Sequence, residues 1–252
     1  MNLSHKVTHY SVSSNKSFTN CAFGWWLDKV EGQKLPSSET ASFGNQFDEL
    51  ITHRIGLTAH DKRDFDSEKP ITEQVLLDGV AEAVDGYMLQ PWAVKKGETL
   101  YAQKKIEILP HEWSILAEEL GLCLEIKKPV VGYIDHIKID GLRRIVVDQK
   151  TSKMKGMRYD WASQLGIYGI AENIQFGEIH LMTRTKVPAY YKYPVLIGDD
   201  LKRAVMVKFT YIANLIEKAL EQGSGEMLPR TPDYWCNWCP AKLECPAKGI
   251  VP

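Results

Sequence analysis

Asp135, Asp148 and Lys150 are the residues of this sequence whose types and spacing could do chemistry together. Val146 and Val147 lead an apolar run into Asp148, and Lys150 follows two residues on. A period of two therefore sets Asp148 and Lys150 on one face of a strand and sends Gln149 the other way. Asp140-Gly141 lies between two strand-like runs, residues 130–139 and 144–148, and predicts a hairpin that brings Asp135 and Asp148 together at one end of a sheet. Two carboxylates on one face repel each other, which suits them to hold a hard cation. Mg²⁺ or Mn²⁺ prefers oxygen ligands and keeps waters, one of which it can activate as a nucleophile. A lysine beside them can position that water or offset charge developing on a phosphate. Such chemistry fits phosphodiester hydrolysis. Asp-x-Lys alone is short, and a strand-end acid followed by a solvated lysine has the same pattern.

A second group of candidates is made of thiols. Cys236, Cys239 and Cys245 have the spacing C-x₂-C-x₅-C, and Cys21 could supply a fourth ligand, stapling an N-terminal helix to the C-terminal tail. The spacing leaves structural Zn²⁺ and an iron–sulfur cluster both open. Five cysteines in 252 residues are too few for a disulfide scaffold. Cys123, in Leu122-Cys123-Leu124, is expected to be a small buried hydrophobe in a strand over 122–126.

The elements that must position these residues follow from hydrophobic periodicity. Helical spacing covers residues 15–30, 39–55, 72–89, 111–120, 159–173 and 200–222. Strand-like runs cover 100–108, 122–126, 130–139, 144–148, 178–183 and 190–195, and the polar stretch 58–70 reads as a loop. Interspersed strands and helices indicate an α/β or α+β domain around a mixed sheet. At 44% hydrophobic residues the chain can bury a sizeable core. No apolar run reaches membrane-spanning length and the start leads into Ser and Thr, so a cytoplasmic protein with no membrane partner is expected. A net charge of −1 excludes a domain that coats phosphates by bulk charge. The stretch holding Lys138, Arg143, Arg144, Lys150, Lys153, Lys155 and Arg158 is nevertheless locally basic and could grip a DNA backbone irrespective of sequence. Tyr159 and Trp161 could stack bases, whereas Trp25 and Trp26 are expected in the core.

On Gly132-Tyr133-Ile134-Asp135, on Val146-Val147-Asp148-Gln149-Lys150-Thr151 and on Gln164-x-x-x-Tyr168 the sequence resembles the PD-(D/E)XK nuclease superfamily, in its RecB-like branch. The resemblance implies a restriction-endonuclease-like α/β fold, a mixed central sheet flanked by helices. It further implies that Asp135 and Asp148 bind Mg²⁺ or Mn²⁺ with help from Asp48 and the Gln149 carbonyl, that Lys150 assists hydrolysis, and that Gln164 and Tyr168 lie near the DNA. Gln164 and Tyr168 are four apart and share a helix face. Gly44 is followed four residues later by Asp48, where the family often has a His. A further acid often precedes the first metal ligand, and Glu107 and Glu125 both qualify by position.

The early cysteine and three late ones resemble the iron–sulfur subset of that branch, which includes the AddB nuclease domain and CRISPR-associated exonucleases. The resemblance implies a structural [4Fe–4S] cluster on Cys21, Cys236, Cys239 and Cys245 that joins residues 11–30 to 228–250. The expectation is one nuclease domain over residues 1–252, an exonuclease on single-stranded DNA with 5′→3′ polarity favoured. A non-catalytic DNA-end binder and a structure-specific endonuclease are the alternatives. Any helicase would be a separate partner, and CRISPR adaptation, repair or recombination proteins are possible associates.

Overall fold

Two apolar runs with a tight turn between them make the central hairpin, and the remaining strands and helices build outward from it. In the computed structural model the described residues are 3–33, 39–57, 71–226, 228–231, 236 and 245. In chain order the elements are β1 (Tyr10–Ser11), α1 (Val12–Asn20), α2 (Ala22–Lys29), α3 (Glu39–Arg54), α4 (Val80–Met88), β2 (Thr99–Ile108) and α5 (Pro110–Glu119). They continue with β3 (Val130–Asp140), β4 (Arg143–Ser152), α6 (Tyr159–Glu172), β5 (Phe176–Thr183), β6 (Tyr190–Leu196) and α7 (Asp199–Gln222).

The sheet is mixed. β3 pairs antiparallel with β4, β4 parallel with β5, and β5 antiparallel with β6. β2 also pairs with β3, and β1 runs parallel to the first residues of β3, with Tyr10 opposite Val130. Parallel neighbours need a crossover connection, and α6 supplies it between β4 and β5. This is the mixed α/β architecture expected of a restriction-endonuclease-like fold.

The chain forms two compact units. The unit of Ser37–Ile106 and Gly132–Lys202 holds most of the sheet. On one face of that sheet α3 brings Phe47, Ile51 and Ile55, and α4 brings Val80, Val84 and Tyr87, onto Ile145, Val147 and Met182. On the other face α6 packs close: a Cβ on Gly177 of β5 would lie 3.0 Å from Leu165 Cδ1. The unit of Met1–Pro36, Glu107–Val131 and Arg203–Pro252 has its own core. There the Trp113 indole donates to Thr210 Oγ1 at 3.0 Å, and the Tyr10 hydroxyl donates to Glu217 at 2.9 Å. Trp25 and Trp26 are buried, as expected. Among the described residues no helix is long and apolar enough to cross a membrane.

Several expected elements differ. The helix over 15–30 is broken at Cys21, whose extended backbone (φ −157°, ψ 104°) ends α1 and caps α2, its Sγ accepting from Gly24 N at 3.4 Å. The helix expected over 72–89 is shorter, α4 starting at Val80 after Gly79 at φ 81°. Residues 122–126 form no strand, and Cys123 is exposed rather than buried. The turn also shifts by one residue. Asp140 still pairs with Arg143, so Gly141 and Leu142 are the two loop residues, with Gly141 at φ 61°. That left-handed conformation is what a tight hairpin of this twist demands. The polar stretch 58–70 lies outside the described residues.

Candidate active site

The register of the hairpin decides how the two acids meet. His136 lies opposite Val147, and one further step in the same register sets Asp135 opposite Asp148. Directly opposed residues of antiparallel strands share a face. Asp135, Asp148 and Lys150 therefore line one face, the face that α6 covers, while His136 and Gln149 turn toward α3 and α4.

Asp148 is fully buried, and Lys150 Nζ lies 2.6 Å from its Oδ2. Asp135 is 7% exposed, and its Oδ2 accepts from the backbone N–H of Gln149 at 2.8 Å. A side chain thus takes a ladder hydrogen bond where β3 and β4 cease to pair, while β4 stays paired with β5 through Ser152 opposite Thr183. The two acids sit at that parting of the strands.

α3 passes close by. A Cβ on Gly44 would meet Thr151 Oγ1 at 3.3 Å, so glycine lets the helix approach β4. One turn on, Asp48 is buried and accepts a hydrogen bond from Gln103 Nε2, and it lies 4.0 Å from His136 Nδ1. His136 Nε2 is in turn 3.2 Å from Thr52 Oγ1. Gln103 has φ 54° inside β2, and both it and Ala102 are buried, which breaks the strand's alternation in the manner of a bulge. A residue other than glycine held in this conformation is uncommon, and here it aims an amide at Asp48.

On α6 the Gln164 amide donates to the Tyr168 hydroxyl at 2.8 Å. Tyr168 is buried and Gln164 partly exposed, so the tyrosine orients the glutamine rather than meeting solvent itself. Lys153, Lys155 and Arg158 are all exposed in the segment leading into α6, with Arg158 3.0 Å from Asp160 and its guanidinium 5.7 Å from the Trp161 ring. Tyr159 is exposed, but Trp161 is buried and is no stacking surface. Arg144 is held by Glu172 at 3.0 Å. Glu107 and Glu125 are both exposed.

Lys138 departs most from its expected place in the basic stretch. It is buried and pairs with Glu178 at 2.7 Å. Glu178 also accepts from His180 Nε2 at 2.8 Å, so His180 Nδ1 is left to accept from the Tyr87 hydroxyl at 2.8 Å. Tyr87 in turn accepts from Val94 N at 3.0 Å. Burial alone would raise the Glu178 carboxyl, but hydrogen bonds from His180 and Lys138 outweigh it and hold it down at about 2. Burial pushes the His180 imidazole down to about 4 against the pull of Glu178, so it is neutral at pH 7. This network, which sequence reasoning missed, runs beneath Gln149 on the face opposite the two acids. Its one signal in the sequence is Glu178-x-His180, acid and base at strand spacing in an otherwise apolar run.

Two buried carboxylates on adjacent strands, with a backbone carbonyl between them and Lys150, are a donor set that suits a hard cation. Mg²⁺ is commonly held by one or two carboxylates while waters complete its shell. Among the described residues no three His, Cys, Asp or Glu side chains gather as a ready-made metal site. The same holds for the thiols: Cys21, Cys236 and Cys245 are half-buried and are not gathered as a group of three, and Cys239 lies outside the described residues.

A family model for the PD-(D/E)XK nuclease superfamily matches residues 9–246. The chain belongs to that superfamily. Nucleases of this superfamily use divalent metals, in keeping with the acids at the parting of β3 and β4. No curated protein matches. Among solved structures, one named "Putative exonuclease" from Eubacterium rectale is 12% identical, with 86% of this chain and 82% of that one covered and a TM-score of 0.51. At that identity the likeness speaks for the fold alone. SSO0001 is 21% identical over 48% of this chain, with a TM-score of 0.33, and the chain spans about half of its length, 52%.

Proposed function

We propose that this nuclease is a Mg²⁺- or Mn²⁺-dependent exonuclease acting on single-stranded DNA, with 5′→3′ polarity. The observation that supports it most is the setting of Asp135 against Asp148 on one face, with Lys150 at 2.6 Å from Asp148. In this reading Asp135, Asp148 and the Gln149 carbonyl hold the cation, which supplies Lewis acidity and an activated water. Lys150 orients the attacking water toward phosphorus and stabilises the charge that develops on the phosphate. Gln164, steadied by Tyr168, positions the strand, and exposed Lys153, Lys155 and Arg158 grip its backbone. Asp48, on α3 and 4.0 Å from His136, would help to hold the cation.

A [4Fe–4S] cluster on Cys21, Cys236, Cys239 and Cys245 belongs to the same proposal and rests on the resemblance to the iron–sulfur subset, since their spacing alone would suit zinc as well. Iron and sulfide content with visible absorbance of anaerobically purified protein tests it, and zinc without iron refutes it. The family match runs through both compact units, which supports one nuclease domain.

The test is degradation of end-labelled single-stranded DNA with Mn²⁺ or Mg²⁺ beside Lys150→Ala. Loss of cutting in a folded variant supports the reading. DNA binding without cutting by the wild type would make the chain a non-catalytic end binder. Cutting of a circular single strand would make it an endonuclease. Equal cutting by both proteins would put the chemistry elsewhere.

A further inference from the structure

The face that carries the acids does not end at β4. Parallel pairing sets Asp148 beside Ile179 and Lys150 beside Leu181, and antiparallel pairing sets Ile179 beside Tyr193 and Leu181 beside Tyr191. Each row of opposed residues shares a face. Tyr193 and Tyr191 thus lie on the acids' side of the sheet, two strand spacings or about 10 Å across from Asp148 and Lys150.

The two rings stack, with centroids 6.2 Å apart and planes inclined by 24°. Both tyrosines are half-buried on the edge strand, so part of each residue remains open to solvent. Their neighbours Tyr190 and Lys192 point the opposite way, Tyr190 donating to Ala83 O at 3.0 Å and Lys192 lying 3.6 Å from Glu178. Lys155, from the exposed basic segment before α6, reaches over the Tyr191 ring at 4.9 Å from its centroid.

We propose that Tyr191 and Tyr193, flanked by Lys155, form a stacking platform for unpaired DNA bases of the strand whose phosphate lies at Asp135, Asp148 and Lys150. The proposal rests on the nuclease reading above and adds a source for its preference for single strands. Tyrosine faces stack on any base, so such a platform is indifferent to sequence. Bases inside a duplex are already stacked on one another, and only a terminal pair has a face to offer. Lys155 complements the phosphates of a strand laid along the rings and is itself held by the Tyr191 π face.

The experiment uses the full chain in EDTA, so that binding is read without cutting. The probes are an oligothymidylate carrying one 2-aminopurine, read by anisotropy and quenching, and a blunt duplex of equal length. Tyr191→Ala and Tyr193→Ala are each expected to weaken single-strand binding by about 5- to 150-fold, the range for loss of one stacked base. Duplex binding should change little, and Tyr191→Phe and Tyr193→Phe should bind as wild type. The salt dependence of binding should keep its slope in the alanine variants, since no phosphate contact is removed.

Alanine variants that melt as wild type and bind the single strand equally well would overturn the platform. So would equal loss on single strand and duplex. Cleavage of single strands by wild type and its loss in Lys150→Ala, measured on the same preparations, separate the two claims. If cleavage behaves so and the alanine variants bind normally, the platform alone falls. If the wild type neither binds nor cuts DNA, the nuclease reading falls and the platform with it.

Discussion

Replacing Lys138 by Met tests whether the network beneath Gln149 is a stabilising unit. Lys138 and Glu178 have side chains 9% and 8% exposed, and their charged atoms are 2.7 Å apart. Methionine fills nearly the same volume but leaves Glu178 buried with His180 at 2.8 Å and a half-exposed Lys192 at 3.6 Å. Removing one partner of a buried ion pair costs about 3–5 kcal/mol, because the other charge is stranded away from water. The remaining partners put the expected loss at the low end, about 3 kcal/mol. For a chain of this size that lowers Tm by about 6–12 °C. Urea unfolding followed by tryptophan fluorescence, with Lys138→Met, Glu178→Gln and the double variant, gives the coupling directly. The double variant should lose at least about 1 kcal/mol less than the sum of the singles, since contacting charges are not additive. The His180 imidazole should also titrate higher in Lys138→Met, because the lysine's charge is one of the influences depressing it. A loss below about 1 kcal/mol, or strict additivity of the two substitutions, would refute the account of a buried, mutually dependent pair.

Acid should weaken the fold in two stages. The His180 imidazole is depressed from 6.5 to about 4, so its contribution is complete above pH 6.5 and is lost as pH falls toward 4. Glu178, lowered from 4.5 to about 2, extends the loss below pH 4.5. Denaturant midpoints that hold steady or rise between pH 6.5 and 4 would contradict this. Gly169→Ala should destabilise by about 1–3 kcal/mol in a thermal melt, despite alanine's preference for helices. Its Cβ would meet Ile174 O at 2.6 Å and Ile197 at 2.8 Å, so an unchanged or higher Tm would show that α6 can shift without cost. Tyr168→Phe removes the acceptor that holds Gln164 at 2.8 Å, and kcat/KM on single-stranded DNA should fall by about 2- to 12-fold, the worth of one hydrogen bond. Undiminished cleavage would mean that Gln164 is oriented by other contacts.

The hairpin was legible because two local rules agree on it. Period-two patterning sets Asp148 and Lys150 on one face, and the residue count between Asp135 and Asp148 closes through a glycine turn. Shifting the loop from Asp140-Gly141 to Gly141-Leu142 moves every partner by two residues, so the acids keep their common face and come directly opposite each other. Residues 122–126 misled because Leu122, Cys123 and Leu124 have the composition of a strand, but a strand needs a partner edge as well as propensity. The break at Cys21 was hidden by apolar spacing that continues through it. The Lys138–Glu178–His180–Tyr87 contacts join segments far apart in the chain and depend on strand register, which no single stretch displays. Lys138 is different, since the same period of two that grouped Asp148 with Lys150 separates Lys138 from Asp135. Counting basic residues along the hairpin, without alternating them, obscured that.

The ion pair between Lys150 and Asp148 bears on the order in which this protein is assembled. An acid at zero exposure facing another across a sheet opposes collapse of the chain around it, and some sites of that kind stay unfolded until a cation arrives. Here the chain carries its own counter-ion at 2.6 Å. The hairpin can therefore close without waiting for a cation, and in the proposed reading chelators stop cutting without unfolding the protein. In the proposed reading the same ammonium would have two successive duties, as a placeholder while the chain folds and as the group that orients water once the acids hold a cation.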